Sequence, residues 1–115
     1  MNSFIKDICE KVYEETDVSN FKNKTVLITG ANGLIGGFLA DFFSYLNALH
    51  LYNIKIVLSS RSYYKNAKRI KHLIKKPYVT YISRDLSTSE PWSHAIGNID
   101  YCFYCAGYAQ PAKFL

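Results

Sequence analysis

Three regularly spaced glycines are the residues of this 115-residue chain best suited to chemistry. Gly30, Gly33 and Gly36 follow Thr29 in the run Thr-Gly-Ala-Asn-Gly-Leu-Ile-Gly. The first permits a tight turn out of a strand, the second keeps side chains away from a ligand, and the third lets the following helix pack closely. Free N–H groups and the positive dipole at the start of that helix would then bind a diphosphate. The alternative is a purely structural turn, which does not need glycine at all three positions.

Further residues near these glycines are candidate contacts for the same diphosphate-bearing ligand. Within the glycine run they are Asn32, Leu34 and Ile35. After the second predicted strand, Ser59 can donate a hydrogen bond to a ribose, and Arg61 can pair with a ribose 2′-phosphate. No acid stands there to accept hydrogen bonds from a free 2′-OH, which favours NADP on chemical grounds. The alternative for Arg61 is a surface residue that stacks on adenine or on nothing. Both NAD and NADP stay open as the cofactor.

Hydrophobic periodicity predicts the elements that must position these residues. Apolar runs predict strands at 25–29, 54–59, 78–82 and 99–104, and helical spacing predicts helices at 3–16, 34–49 and 63–75. Ser3 is the predicted N-cap of the first helix. The alternation of strands and helices predicts an α/β fold with right-handed βαβ units. We expect a Rossmann-like doubly wound parallel sheet, present as its first half, with about four strands in the order 3-2-1-4. An N-terminal helix and linker at 1–22 would precede a dinucleotide-binding domain at 23–115.

Composition excludes several other classes of protein. Hydrophobic residues make up 49% of the chain and charged residues 20%, which is typical of a globular domain. No apolar run approaches the roughly 20 residues that span a membrane, and no secretory signal is evident, so we expect a cytoplasmic protein. The histidines stand singly and predict no metal site. Cys9, Cys102 and Cys105 are predicted to be buried thiols in a reducing compartment.

A basic stretch runs from Lys55 to Lys76, with eight Lys or Arg residues and no acid. A stretch of this kind could attract nucleic acid. We favour a solvated helix face beside a phosphate-bearing cofactor, because the aromatic residues do not alternate with the basic ones as in a stacking platform. The sequence therefore predicts no nucleic-acid partner.

The Thr-Gly-x-x-Gly-x-x-Gly spacing resembles the extended short-chain dehydrogenase/reductase family, which includes nucleotide-sugar epimerases, 4,6-dehydratases and UDP-glucuronate decarboxylases. The resemblance covers about residues 22–114. Asp85 and Leu86, after the third predicted strand, resemble the family's contact with the adenine ring. Asp100 resembles the start of the family's D-x-x-x-H-x-A-A pattern. The residues that follow the fourth predicted strand, Cys105, Ala106 and Gly107, resemble the end of the N-N-A-G pattern of smaller family members.

This resemblance implies a cofactor, a substrate class and an assembly. The full-length protein would bind NAD or NADP, act on a nucleotide sugar by transient oxidation at the sugar C4, and form a homo-oligomer. The family's catalytic Tyr-x-x-x-Lys pair lies after the fourth strand, so we expect the chain to stop before it and to carry no catalytic residue. Tyr64 and Lys68 have the same spacing but follow the second strand, on the adenosine side. A non-catalytic dinucleotide-binding or interaction module is the alternative function.

Overall fold

A computed structural model describes residues 2–60, 67–83 and 97–105. Its helices are α1 (Ser3–Glu15), α2 (Leu34–His50) and α3 (Lys71–Ile74), with one turn of 3₁₀ helix at Ser19–Phe21. Its strands are β1 (Thr25–Thr29), β2 (Lys55–Ser60), β3 (Val79–Ser83) and β4 (Tyr101–Tyr104). The order of elements along the chain is the predicted one, and most boundaries agree within two residues.

The four strands form one parallel sheet in the order β3-β2-β1-β4. Leu27 in β1 lies beside Val57 in β2 on one side and Cys102 in β4 on the other. This arrangement confirms the predicted Rossmann-like α/β fold. Because β1 is central, the turn at its carboxyl end lies between the ends of β2 and β4, where ligands bind in open α/β sheets.

Helix α2 is buried on two sides, which explains why its sequence is apolar almost all round. One side packs on the sheet, where Phe43 and Leu46 join a core with Ile28 and Leu58. The other side is covered by α1, whose Cys9 is fully buried. Helix α2 is therefore held between the sheet and α1, and its first turn has a fixed position at the end of β1.

Two predictions about the helices were wrong. The N-cap of α1 is Asn2 and not Ser3, because the Asn2 Oδ1 atom accepts a hydrogen bond of 2.8 Å from the Ile5 N–H. The helix predicted at 63–75 is helical only at Lys71–Ile74 among the residues that the structure describes there. The Arg69 N–H donates to the side chain of Asn32 at 2.9 Å, and a polar side chain that binds the backbone in this way competes with helix formation.

The three cysteines occupy different environments. Cys9 is buried as predicted, Cys102 is exposed and Cys105 is half-buried, so the prediction of three buried thiols was wrong for Cys102. Cys102 is the neighbour of Leu27 in the sheet. Because alternate residues of a strand face opposite sides, Cys102 and Cys105 need not share an environment. In the described part of the chain, no group of three or more His, Cys, Asp or Glu residues could hold a metal ion. No helix within those ranges has the length and apolar character needed to cross a membrane.

Candidate functional site

The turn after β1 has the backbone geometry that its glycines allow. Gly30 has a φ of 65°, in the left-handed region where a side chain would be strained. The Gly33 N–H donates to the Gly30 carbonyl at 3.0 Å and closes the turn. The Ala31 N–H donates to the Ser59 carbonyl at 3.0 Å and ties the turn to the end of β2. The turn is thus fixed by backbone contacts to itself and to the neighbouring strand.

Gly36 allows the first turn of α2 to pack against this backbone. A Cβ atom at Gly36 would overlap the carbonyl oxygen of Gly30 and lie 2.9 Å from its carbonyl carbon. It would also lie 3.0 Å from the Cα atom of Ala31. At Gly33 the fit is less tight, because an added Cβ atom would lie 3.3 Å from the Gly30 oxygen. Gly36 therefore serves close packing, whereas Gly33 leaves space at the start of the helix.

The N-terminus of α2 is open to an anionic ligand. Its N-cap is Gly33, no side chain caps it, and its first turn contains no acid. Leu34 and Ile35 are 85% and 69% exposed, so this end of the helix is accessible to a ligand. The first N–H groups of a helix lack intrahelical partners and carry partial positive charge, which favours a phosphate. A diphosphate therefore fits the turn and the first turn of α2.

The described candidate residues come together around this turn. Gly30, Asn32, Gly33, Leu34, Ile35 and Gly36 form it, and Ser59 contacts it through its carbonyl oxygen. Cys105 lies beside it, since its N–H donates to the Thr29 carbonyl oxygen at 3.1 Å and to the Thr29 hydroxyl at 3.0 Å. Five further candidates lie outside the described residues, namely Arg61, Asp85, Leu86, Ala106 and Gly107.

Two candidate side chains have environments that bear on their predicted roles. The Asn32 side chain accepts a hydrogen bond from the Arg69 backbone, so its oxygen is already engaged within the chain. Ser59 is only 1% exposed, and its hydroxyl has no hydrogen-bond partner. A buried hydroxyl without a partner costs about 1–3 kcal/mol. A contact between Ser59 and a ribose stays a prediction.

A buried acid on α2 was missed by the sequence reasoning. Asp41 is 1% exposed, and its Oδ2 atom lies 2.8 Å from Nη1 of Arg69. Its Oδ1 atom lies 2.6 Å from Nε2 of His72. The signal was available, because Asp41 is the one charged residue in the otherwise apolar stretch 34–43. A buried carboxylate needs partners, and here two basic side chains beyond β2 supply them.

The same basic side chains line an open cleft of about 450 Å³ beside the N-terminal half of α2. Leu34 from the start of α2 and Ile5 from α1 also line it, as does the exposed Lys68. Lys68, from the Tyr-x-x-x-Lys spacing, thus lies beside Arg69 and His72; its spacing partner Tyr64 falls outside the described residues. The basic residues of this segment therefore lie near the glycine turn, and part of their charge is neutralised by Asp41.

Comparison with known proteins adds one match. The family model described as the NAD dependent epimerase/dehydratase family matches residues 26–114, a range that includes β1 from Val26 onward, the glycine turn, α2 and the three remaining strands. No curated protein and no solved structure matches the chain.

Proposed function

The chain belongs to the NAD-dependent epimerase/dehydratase family, and from this premise we propose that it is the cofactor-binding part of an enzyme that modifies nucleotide sugars. The observation that carries the proposal is the contact between Gly36 and the Gly30 carbonyl, at the uncapped start of α2. That contact brings the helix N-terminus to the carboxyl end of the central parallel strand. Dinucleotide diphosphates bind at this position in doubly wound folds.

The residues of the chain have separate tasks in the proposal. The backbone N–H groups in the first turn of α2 bind and orient the diphosphate, because the Ala31 and Gly33 N–H groups are already bonded to the Ser59 and Gly30 carbonyls. The bound NAD or NADP supplies reversible hydride transfer. The end of β2 lies beside the adenosine side of the site and carries Ser59 and Ser60 but no carboxylate. Because no acid is present there, the site suits NADP, which carries the 2′-phosphate, at least as well as NAD.

The substrate proposal rests on the family and not on the geometry of this chain. Epimerases, dehydratases and decarboxylases of nucleotide sugars share an oxidation at the sugar C4, after which inversion, elimination or loss of carbon dioxide becomes feasible. We propose that the enzyme carries out this shared step. No catalytic residue is assigned among the described residues.

Calorimetric titration tests cofactor binding. The chain should bind NAD or NADP saturably, and ADP should compete because it carries the same diphosphate. Nicotinamide mononucleotide, which lacks the diphosphate bridge to adenosine, should compete weakly. Absence of saturable binding by either dinucleotide would overturn the proposal. The ratio of the two dissociation constants decides between NAD and NADP.

A second experiment tests the sugar chemistry. The protein expressed from its complete reading frame is mixed with cofactor and a nucleotide sugar that carries deuterium at C4. After a quench, we expect part of the deuterium on the reduced nicotinamide, detected by mass spectrometry. Conversion of the sugar with no deuterium on the cofactor would contradict oxidation at C4.

A further inference from the structure

Arg69 contacts the glycine turn and α2 at the same time. Its backbone N–H donates to Oδ1 of Asn32 at 2.9 Å, between the first and second glycines of the turn. Its guanidinium Nη1 atom lies 2.8 Å from Oδ2 of Asp41, two helical turns along α2. Between these two contacts its side chain crosses Gly37, where an added Cβ atom would lie 2.6 Å from the Arg69 Cγ atom. Arg69 therefore connects the turn and the helix from outside the sheet.

Asp41 is the fixed point of this arrangement. It is almost completely buried, and each carboxylate oxygen has a basic partner, Arg69 or His72. A buried carboxylate depends on such partners, because water cannot solvate it. The side chains of Arg69 and His72 are 28% and 40% exposed, so they can be solvated when the carboxylate is removed. Removal of Asp41 should therefore release the Arg69 side chain into solvent without leaving a buried, unpaired charge.

We propose that Asp41 is a positioning residue for the cofactor: through Arg69 it holds Asn32, and with it the glycine turn, in the conformation that binds a diphosphate. The proposal rests on the proposed cofactor-binding function. It assigns a task to the Asn32 side chain, which is engaged with Arg69 instead of being free for the ligand. It also explains why Gly37, one residue beyond the glycine motif, has no side chain, since the side chain of Arg69 occupies that space.

The first test compares Asp41→Ala with Ser44→Ala. Ser44 is a matched control because it is also buried on α2, where its hydroxyl bonds to the Tyr78 hydroxyl at 2.7 Å, away from the glycine turn. Hydrogen exchange is measured on the ligand-free chain. Asp41→Ala should speed exchange of the Arg69 and Gly33 amides, and Ser44→Ala should leave both unchanged. Equal protection of these amides in wild type and Asp41→Ala would overturn the proposal.

The second readout is the dissociation constant for ADP. We expect about tenfold weaker binding for Asp41→Ala, equivalent to about 1.4 kcal/mol, and no change for Ser44→Ala. If Asp41 only stabilised the fold, both variants would be less stable, but their folded chains would bind ADP with the same dissociation constant. If wild type itself binds no ADP, the proposed function fails, while the exchange measurement still decides whether Asp41 restrains the turn.

Gly37→Ala covers the case in which Asp41→Ala does not fold. This change keeps every charged atom and improves helix propensity, but its methyl group must displace Arg69. It should reproduce the faster exchange at Arg69 and the weaker ADP binding. Wild-type exchange and affinity in Gly37→Ala would contradict the positioning role of the Arg69 contacts.

Discussion

The carbonyl oxygen of Gly30 occupies the space that a Cβ atom on Gly36 would need. The left-handed turn at Gly30 and the first turn of α2 are therefore one packed unit. The hydrogen bond from the Ala31 N–H to the Ser59 carbonyl links that unit to β2. Any ligand at the start of α2 thus meets a backbone surface fixed on both sides, and a substitution here should affect packing and binding in separable ways.

Gly36→Ala should destabilise the fold. The added methyl group would meet backbone atoms of Gly30, which cannot move aside as a flexible side chain can. We expect a loss of about 1–3 kcal/mol in the free energy of unfolding, measured by urea denaturation. An unchanged urea midpoint would show that the helix and the turn are not in this close contact.

Gly33→Ala is the companion change, and it should act on binding more than on stability. Its Cβ atom would lie 3.3 Å from the Gly30 oxygen, a contact that a small shift relieves. The methyl group would stand at the N-cap of α2, where the diphosphate is proposed to bind. We expect about tenfold weaker binding of ADP by calorimetry, equivalent to about 1.4 kcal/mol. Wild-type affinity in this variant would argue against a diphosphate at the N-cap.

Asn2→Ala and Ser3→Ala test which residue caps α1. Asn2 accepts the hydrogen bond from the Ile5 N–H, and Ser3 is the first residue of the helix. Loss of an N-cap typically costs about 0.5–2 kcal/mol, so Asn2→Ala should lower the free energy of unfolding by this amount. Ser3→Ala should have little effect. The reverse order of the two effects would support the cap predicted from the sequence.

Stability should fall in alkaline solution. Burial, with a smaller contribution from Asp41, raises the pKa of the Cys9 thiol from 9.0 to about 11, and burial raises the pKa of Tyr52 from 10.0 to about 12. The unfolded chain loses these protons at lower pH than the folded chain. The stabilisation is therefore complete below pH 9 and is lost as the pH rises through 11 and 12. Urea denaturation across this range should show the decline, and Cys9→Ala should weaken it between pH 9 and 11.

The cysteines should differ in their reaction with a maleimide. Cys102 is exposed and should be labelled in the folded chain, whereas Cys9 is fully buried with a raised pKa and should react only after unfolding. The reactive species is the thiolate, and because burial raises the pKa of Cys102 as well, access to the sulfur decides the order of labelling. Peptide mapping by mass spectrometry measures the order of labelling. Labelling of Cys9 before Cys102 would contradict the packing of α1 on α2.

The fold was predictable because its signals are local. The β-branched run at 25–29 and the glycines after it indicate a strand, a turn and a helix in sequence, and the strand order follows from the doubly wound fold that such βαβ units build. The N-cap of α1 was missed because Asn2 and Ser3 are both good capping residues, and spacing alone does not distinguish them.

The remaining errors depend on contacts between distant parts of the chain. Among the described residues 67–75, only Lys71–Ile74 are helical, and the Arg69 N–H before them donates to Asn32, 37 residues away. The partners of Asp41 come from beyond β2, so the sequence shows a buried acid without showing what pairs with it. Burial alternates along β4, with Cys102 and Tyr104 exposed and Tyr101 and Phe103 half-buried, but alternation alone does not say which of the two faces is the exposed one.

The most direct test of the account follows the backbone amides of Gly30–Gly36 by NMR while ADP is added. We expect saturable shifts at these amides, largest at the start of α2, with the same dissociation constant at each. Saturable ADP binding that moves amides elsewhere, for example in the basic helix Lys71–Ile74, and leaves those of the turn unchanged would contradict it.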